Sequence, residues 1–208
     1  MALLPGGRAT SCVEQRRLQS LESGGMDDDE VFDRLNEIDM SDSTTKAEDF
    51  EALAQSMPVG EHGRATFLVS AGQHRQMNDE YDEAQRCFSL ALEDGGRTTL
   101  HPVANLLSLA LVTGDESAVE ARSAELRGLV RADRLGPAAC HFVGDSFRDH
   151  GRLREALRWF TIPLTYADLE DDDLDLLCLA DRYQVRRELE MPQDRLDQIA
   201  AAEIEQPH

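Results

Sequence analysis

Residues 138–164, AACHFVGDSFRDHGRLREALRWFTIPL, decide how this chain is read. The spacing of apolar residues predicts two short amphipathic helices folded back on each other. Gly144 falls within the first helix, Phe147 follows a turn later, Gly151 breaks the pattern, and Ala156 and Phe160 share the inner face of the second. A glycine inside a helix costs about 1 kcal/mol relative to alanine. Its presence at Gly144 therefore predicts a neighbouring helix close enough to need the missing side chain.

The same arrangement recurs at residues 65–92, ATFLVSAGQHRQMNDEYDEAQRCFSLAL. Gly72 answers Gly144, the Asn78-Asp79 turn answers Gly151, Ala84 answers Ala156 and Phe88 answers Phe160. Between them, Pro102 to Leu129 is a blurred copy, with Leu106, Leu107 and Ala110, a turn at Gly114-Asp115, then Val119 and Leu126. Two periods of about 36 residues separate the sharp copies, a length that suits stacked helix pairs.

These residues resemble the tetratricopeptide repeat, whose helix-turn-helix unit carries a small residue and an aromatic in its first helix and Ala, an aromatic and Ala in its second. The match comprises Gly72, Tyr81, Ala84, Phe88 and Ala91 in one copy and Gly144, Phe147, Gly151, Ala156 and Phe160 in the other. Neither first helix has an early Trp, Arg75 stands where the other copy has Phe147, and Pro163 replaces the last small residue. The resemblance implies an all-α fold, a short right-handed superhelical array of antiparallel helix pairs, with three pairs over residues 61–168. The later run RYQVRRELEMPQDRLDQIA also resembles the helical region of bacterial tetratricopeptide proteins that carry a SEC-C zinc module. The module's Cys and His cluster is absent, so no zinc role transfers.

Composition agrees with a helical reading: aromatic residues are only 5% of the chain. The net charge of -20 argues against a nucleic-acid partner, since a phosphate backbone calls for excess Lys and Arg. No apolar run approaches the ~20 residues needed to span a bilayer, so no membrane partner is expected. The four cysteines, Cys12, Cys87, Cys140 and Cys178, form no C-x-x-C pair, and no secretory apolar region is apparent. A reducing, cytoplasmic setting with cysteines as small core residues is the expectation.

Residues 1–25 differ in composition and read as a disordered tail. Residues 26–60 read as an acidic helical segment, with Asp27 to Glu30 at a helix start where carboxylates suit the dipole. A second helix there would begin at Thr44 or Thr45 and carry Phe50, Leu53 and Met57 as far as Pro58. Residues 169–208 read as capping helices: one over Asp171 to Glu190, burying Leu174, Leu177, Cys178 and Tyr183, and a shorter one with Leu196 and Ile199 inward.

For chemistry, Cys140-His141 with Asp145 is the nearest approach to a catalytic set. Neighbours on a helix diverge by about 100°, so Cys140 is expected to turn inward and His141 outward. No catalytic residue, metal site or cofactor is assigned, although His101 and His141 could meet if stacking aligned them. Gly95-Gly96 reads as a helix stop. In the tetratricopeptide family the first helices line a concave side that takes an extended peptide. Helical phase would place Thr66, Val69, Gln73, Gln76, Ala104, Ser108, His141, Asp145 and Arg148 there. Among these only Arg148 matches the residues with which family members clamp a C-terminal carboxylate. The leading expectation is a non-enzymatic module for a protein or peptide partner, in an oligomeric state the sequence leaves open. The alternatives are an acidic nucleic-acid mimic that sequesters a basic protein and, last, a small metal-dependent or cysteine enzyme.

Overall fold

The computed structural model describes residues 26–165 and 175–205, and these are helical with no strand among them. The predicted tail at 1–25, with Cys12, and the acidic run Asp171 to Asp173 with Leu174 lie outside the described residues. Ten α-helices follow in order: α1 Asp28–Asp39, α2 Lys46–Gln55, α3 Arg64–Met77, α4 Tyr81–Asp94, α5 Pro102–Thr113, α6 Glu116–Arg131, α7 Pro137–Asp149, α8 Leu153–Thr161, α9 Leu176–Glu188 and α10 Arg195–Glu205. A short 3₁₀ turn, Ile162–Leu164, closes α8. Helices pack mainly on their sequence neighbours, and α3, α5, α7 and α9 also touch the next helix but one in that series.

Glycine and phenylalanine explain the two sharp pairs. A Cβ added at Gly72 would lie 2.4 Å from the Phe88 ring, and one added at Gly144 would lie 2.4 Å from the Phe160 ring. Each ring thus rests on bare backbone of the first helix, and both phenylalanines are fully buried. The turns match as well. Asp79 and Gly151, 72 residues apart, both take positive φ, 61° and 71°. The amides of Glu80 and Arg152 each donate at 2.9 Å to the carbonyls of Arg75 and Phe147. Such bonds close a helix through a left-handed residue.

The blurred middle pair has a physical cause. Three residues connect α3 to α4 (78–80) and α7 to α8 (150–152), whereas only Gly114 and Asp115 connect α5 to α6. Its second helix is consequently set back by one residue, and the bulk is redistributed. Ser123 takes the register of Phe88 and Phe160, while buried Val119 replaces Ala84 and Ala156, and buried Leu126 stands where the outer pairs have Ala91 and Pro163.

At the N-terminal end, Asp27 caps α1 by accepting from the Glu30 amide, as expected of that acidic start. Thr45 precedes α2 but its side chain caps nothing. Val31, Phe50, Ala54 and Met57 join Phe67, Leu68 and Cys87 in one apolar cluster, and the Phe50 and Phe67 rings stack with centroids 6.4 Å apart. Glu51 of α2 is tied to Arg75 and Arg86, which bolts α2 to the first sharp pair.

The C-terminal expectation is corrected at Leu177. Leu177 is 67% exposed, because Asp175 caps the helix by accepting from the Cys178 amide and so sets a phase that buries Cys178, Leu179 and Val185. Arg182 is buried, and it and Arg186 both grip Asp194, just before α10, and Asp197 within it. Tyr183, Leu196 and Ile199 pack inward as expected.

Candidate functional site

The nine positions expected on a partner-facing side fall into two groups. Thr66, Val69 and Ala104 are buried, which corrects their assignment. Thr66 donates to the carbonyl of Arg97, Val69 belongs to the N-terminal core, and Ala104 lies between α5 and its neighbours. Helical phase errs here because α3 and α5 are covered on more than one face, so their apolar stripe is wider than one strip of positions.

The other six are half-buried and link successive first helices. Gln73 Nε2 donates to Asn105 Oδ1 at 3.0 Å, and Gln76 Nε2 donates to Ser108 Oγ at 3.3 Å, joining α3 to α5. Between α7 and α9 the joint is ionic. His141 Nε2 lies 2.7 Å from Asp181 Oδ2, and His141 Nδ1 lies 3.3 Å from Asp145 Oδ2. Arg148 reaches Asp181 at 2.5 Å and Asp145 at 2.7 Å. The contact with Asp145 Oδ1 is an ion pair by distance but lacks hydrogen-bond geometry, so that buried oxygen has no donor.

Electrostatics follow from this enclosure. Burial raises the Asp145 carboxyl above its ordinary value despite the nearby His141 and Arg148 charges. At Arg148 burial works in the opposite sense, but the hydrogen bond and charge of Asp181 outweigh it and hold the guanidinium more firmly protonated. Phe160 forms the floor: the His141 ring sits 5.5 Å from its centroid, tilted, and Arg148 sits 5.7 Å above it. His141 is therefore not simply an outward side chain. Removing it would uncover part of the Phe160 face and leave Asp181 to Arg148.

His141, Asp145 and Asp181 could each offer a ligand atom to a cation, with those atoms within 4.8 Å of one another. Arg148 already contacts both carboxylates, so an entering cation would meet a guanidinium. The arrangement is a clasp between helices. Cys140 beside it is buried, and burial followed by the charge of Asp175 pushes its thiol up to about 11. Such a thiol is almost wholly protonated near neutrality and is a poor nucleophile. Cys87 is pushed up to about 12 by burial, and Cys178 is raised for the same reason. His101 and His141 take different partners: His101 Nδ1 accepts from the Val103 amide at the start of α5.

Four arginines, Arg148, Arg152, Arg154 and Arg158, stand close together in the sequence here and have different surroundings. Arg148 and Arg152 do not share a helix, because α7 ends at Asp149. Arg152 pairs with Glu116 and Glu155 and lies 5.2 Å over the Phe147 ring. Arg154 and Arg158 stay on α8, beside Leu157, Leu189 and Met191.

Sequence reading missed Asp181 and Asn105. Asp181 follows Asp145 by 36 residues, one repeat period, so extending the period into a fourth helix pair would have flagged it. Asn105 carries no such signal; a polar residue inside the apolar run of α5 is the only mark.

The geometry defines an all-helical protein of sequence-adjacent helix pairs cross-linked by polar contacts between alternate helices. No family model, no curated protein and no solved structure matches the chain.

Proposed function

We propose that the chain is a short right-handed, tetratricopeptide-like array and a non-enzymatic, cytoplasmic module that binds a protein or peptide partner. The observation that carries this reading is the row of half-buried polar side chains, Gln73, Gln76, Ser108, His141, Asp145 and Arg148, along successive first helices. The side chains of this row are held in place, Gln73 by Asn105, Gln76 by Ser108, and His141 and Arg148 by Asp145 and Asp181. Preorganised polar groups over a rigid scaffold reduce the ordering cost of binding an extended segment. The sealed thiols and the closed His141 clasp support a binding role over a catalytic one.

The test is site-directed photocrosslinking in the source cell. A photoreactive phenylalanine analogue at Gln76 should capture a partner, and the same analogue at Glu83, exposed on α4, should not. Capture at Glu83 with none at Gln76 would reject this face as the binding surface.

A further inference from the structure

A cleft of about 410 Å³ lies between the α4–α5 and α6–α7 connections, away from the row of polar side chains. Asp and Glu make up 41 of the 208 residues, yet none of the residues lining this cleft is acidic. Its polar wall holds Arg97, Arg134 and His101, and neither arginine forms an ion pair among the described residues. Elsewhere the carboxylates of this acidic chain capture many guanidinium groups, including those of Arg75, Arg148, Arg152 and Arg182. Two arginines without ion pairs, lining a cleft whose own residues carry no carboxylate, make it locally positive within a negative molecule, with Glu125 the acid that acts on His101 from nearby.

The other donors at the cleft are oriented by the fold. His101 Nδ1 accepts from the Val103 amide, which puts the ring's proton on Nε2. Burial, followed by the charge of Arg134, lowers the His101 pKa and favours that neutral donor form. α7 begins with Gly136 as an uncapped start and Pro137 at its first turn, so the Ala138 and Ala139 amides have no intrahelical acceptor. Asp94, next to Gly95, is turned into the protein, where Arg64 and the Gly60 amide engage its Oδ1. On the apolar side, Leu92, Pro102 and Leu135 provide a wall for a non-polar body.

We propose that this cleft binds the phosphate group of a small phosphate monoester with a compact apolar substituent. Two guanidinium groups, one imidazole and a helix start line this one cleft, and a tetrahedral dianion can accept from more of them than a planar carboxylate can. The ligand must be small, because the surrounding net charge of -20 repels a polyanion. This inference is independent of the partner-binding reading, since the two surfaces share no residue.

The experiment is titration of the full chain with phenyl phosphate by isothermal calorimetry at low ionic strength. Arg134→Ala should weaken binding at least about ten-fold, and the Arg97→Ala/Arg134→Ala double variant should abolish it. Arg131→Ala removes an equal charge from the exposed end of α6 and should leave the affinity within about two-fold. Both cleft arginines are exposed, and circular dichroism should show unchanged helix content. Absence of binding at millimolar phenyl phosphate, equal weakening by Arg131→Ala, or equal affinity for benzoate would each overturn the proposal.

Discussion

The first and third helix pairs, α3–α4 and α7–α8, differ from the middle pair, α5–α6, in where they keep their volume. The outer pairs press a phenylalanine of the second helix against a glycine of the first. The middle pair has serine in that register and places its bulk at Leu107, Val119 and Leu126. One residue fewer in its connecting turn accompanies the exchange. The middle helices accordingly approach each other less closely than those of the outer pairs, since side-chain volume stands between them where the outer pairs set a ring on bare backbone.

The comparison breaks most visibly at the aromatic position. Phe160→Ala and Phe88→Ala should each cost about 3–5 kcal/mol, whereas Ser123→Ala in the same register should cost about 0.5 kcal/mol or less. Urea denaturation followed by circular dichroism measures all three. Equal costs at Phe160 and Ser123 would show that the outer pairs do not depend on the ring.

A sharper version tests the glycine. Gly144→Ala gains helix propensity but puts a methyl group into the Phe160 ring, so a net loss of about 1–3 kcal/mol is expected. In a Phe160→Leu background the same change should become neutral or stabilising. An identical cost in both backgrounds would remove the close approach as the reason for the glycine.

Much of this comparison was legible in the sequence. The Gly–Phe spacing and the positive-φ turns depend on residue types with few alternatives, so identity alone marks them. The register of α5–α6 was not legible, because Val, Leu and Ser carry no positional signature comparable to Gly against Phe. The partner-facing positions were half legible: phase separated Gln73 and Gln76 from the core but could not show that α3 and α5 bury Val69 and Ala104 as well. Asp181 is not legible from its own helix, which reads as a cap; only the 36-residue period relates it to Asp145.

The outer pairs also differ from each other at Arg75 and Phe147. Phe147 is buried, while Arg75 is held by Glu48, Glu51 and Glu80. Burial alone would raise the Glu51 pKa, but hydrogen bonds and charge from Arg86 and Arg75 outweigh it and hold it below its ordinary value. A carboxylate whose folded pKa is depressed stabilises the fold above its unfolded value, about 4.5, and loses that contribution as pH falls through the folded value. Glu51→Gln should cost about 1–2 kcal/mol at pH 7, the figure reduced because Arg86 is partly solvated, and the difference from wild type should narrow below pH 4.5. Parallel pH–stability curves for the two proteins would exclude Glu51 as the source.

The smallest effect lies in the turns that make the outer pairs alike. Asp79 and Gly151 share a left-handed backbone, yet one is an ordinary side chain and the other is not. Asp79 is aided by its own carboxylate, which accepts the Tyr81 hydroxyl at 2.6 Å, whereas Leu153 holds the corresponding place after Gly151. Gly151→Ala should therefore cost about 1 kcal/mol, because alanine disfavours positive φ and has no polar group to offset it. Gly151→Asn should cost measurably less, since asparagine tolerates that conformation through local hydrogen bonds. Crowding cannot supply the difference, because a Cβ on Gly151 meets no heavy atom within 4 Å; a Gly151→Asn variant as unstable as Gly151→Ala would therefore show that local hydrogen bonding does not offset the positive φ.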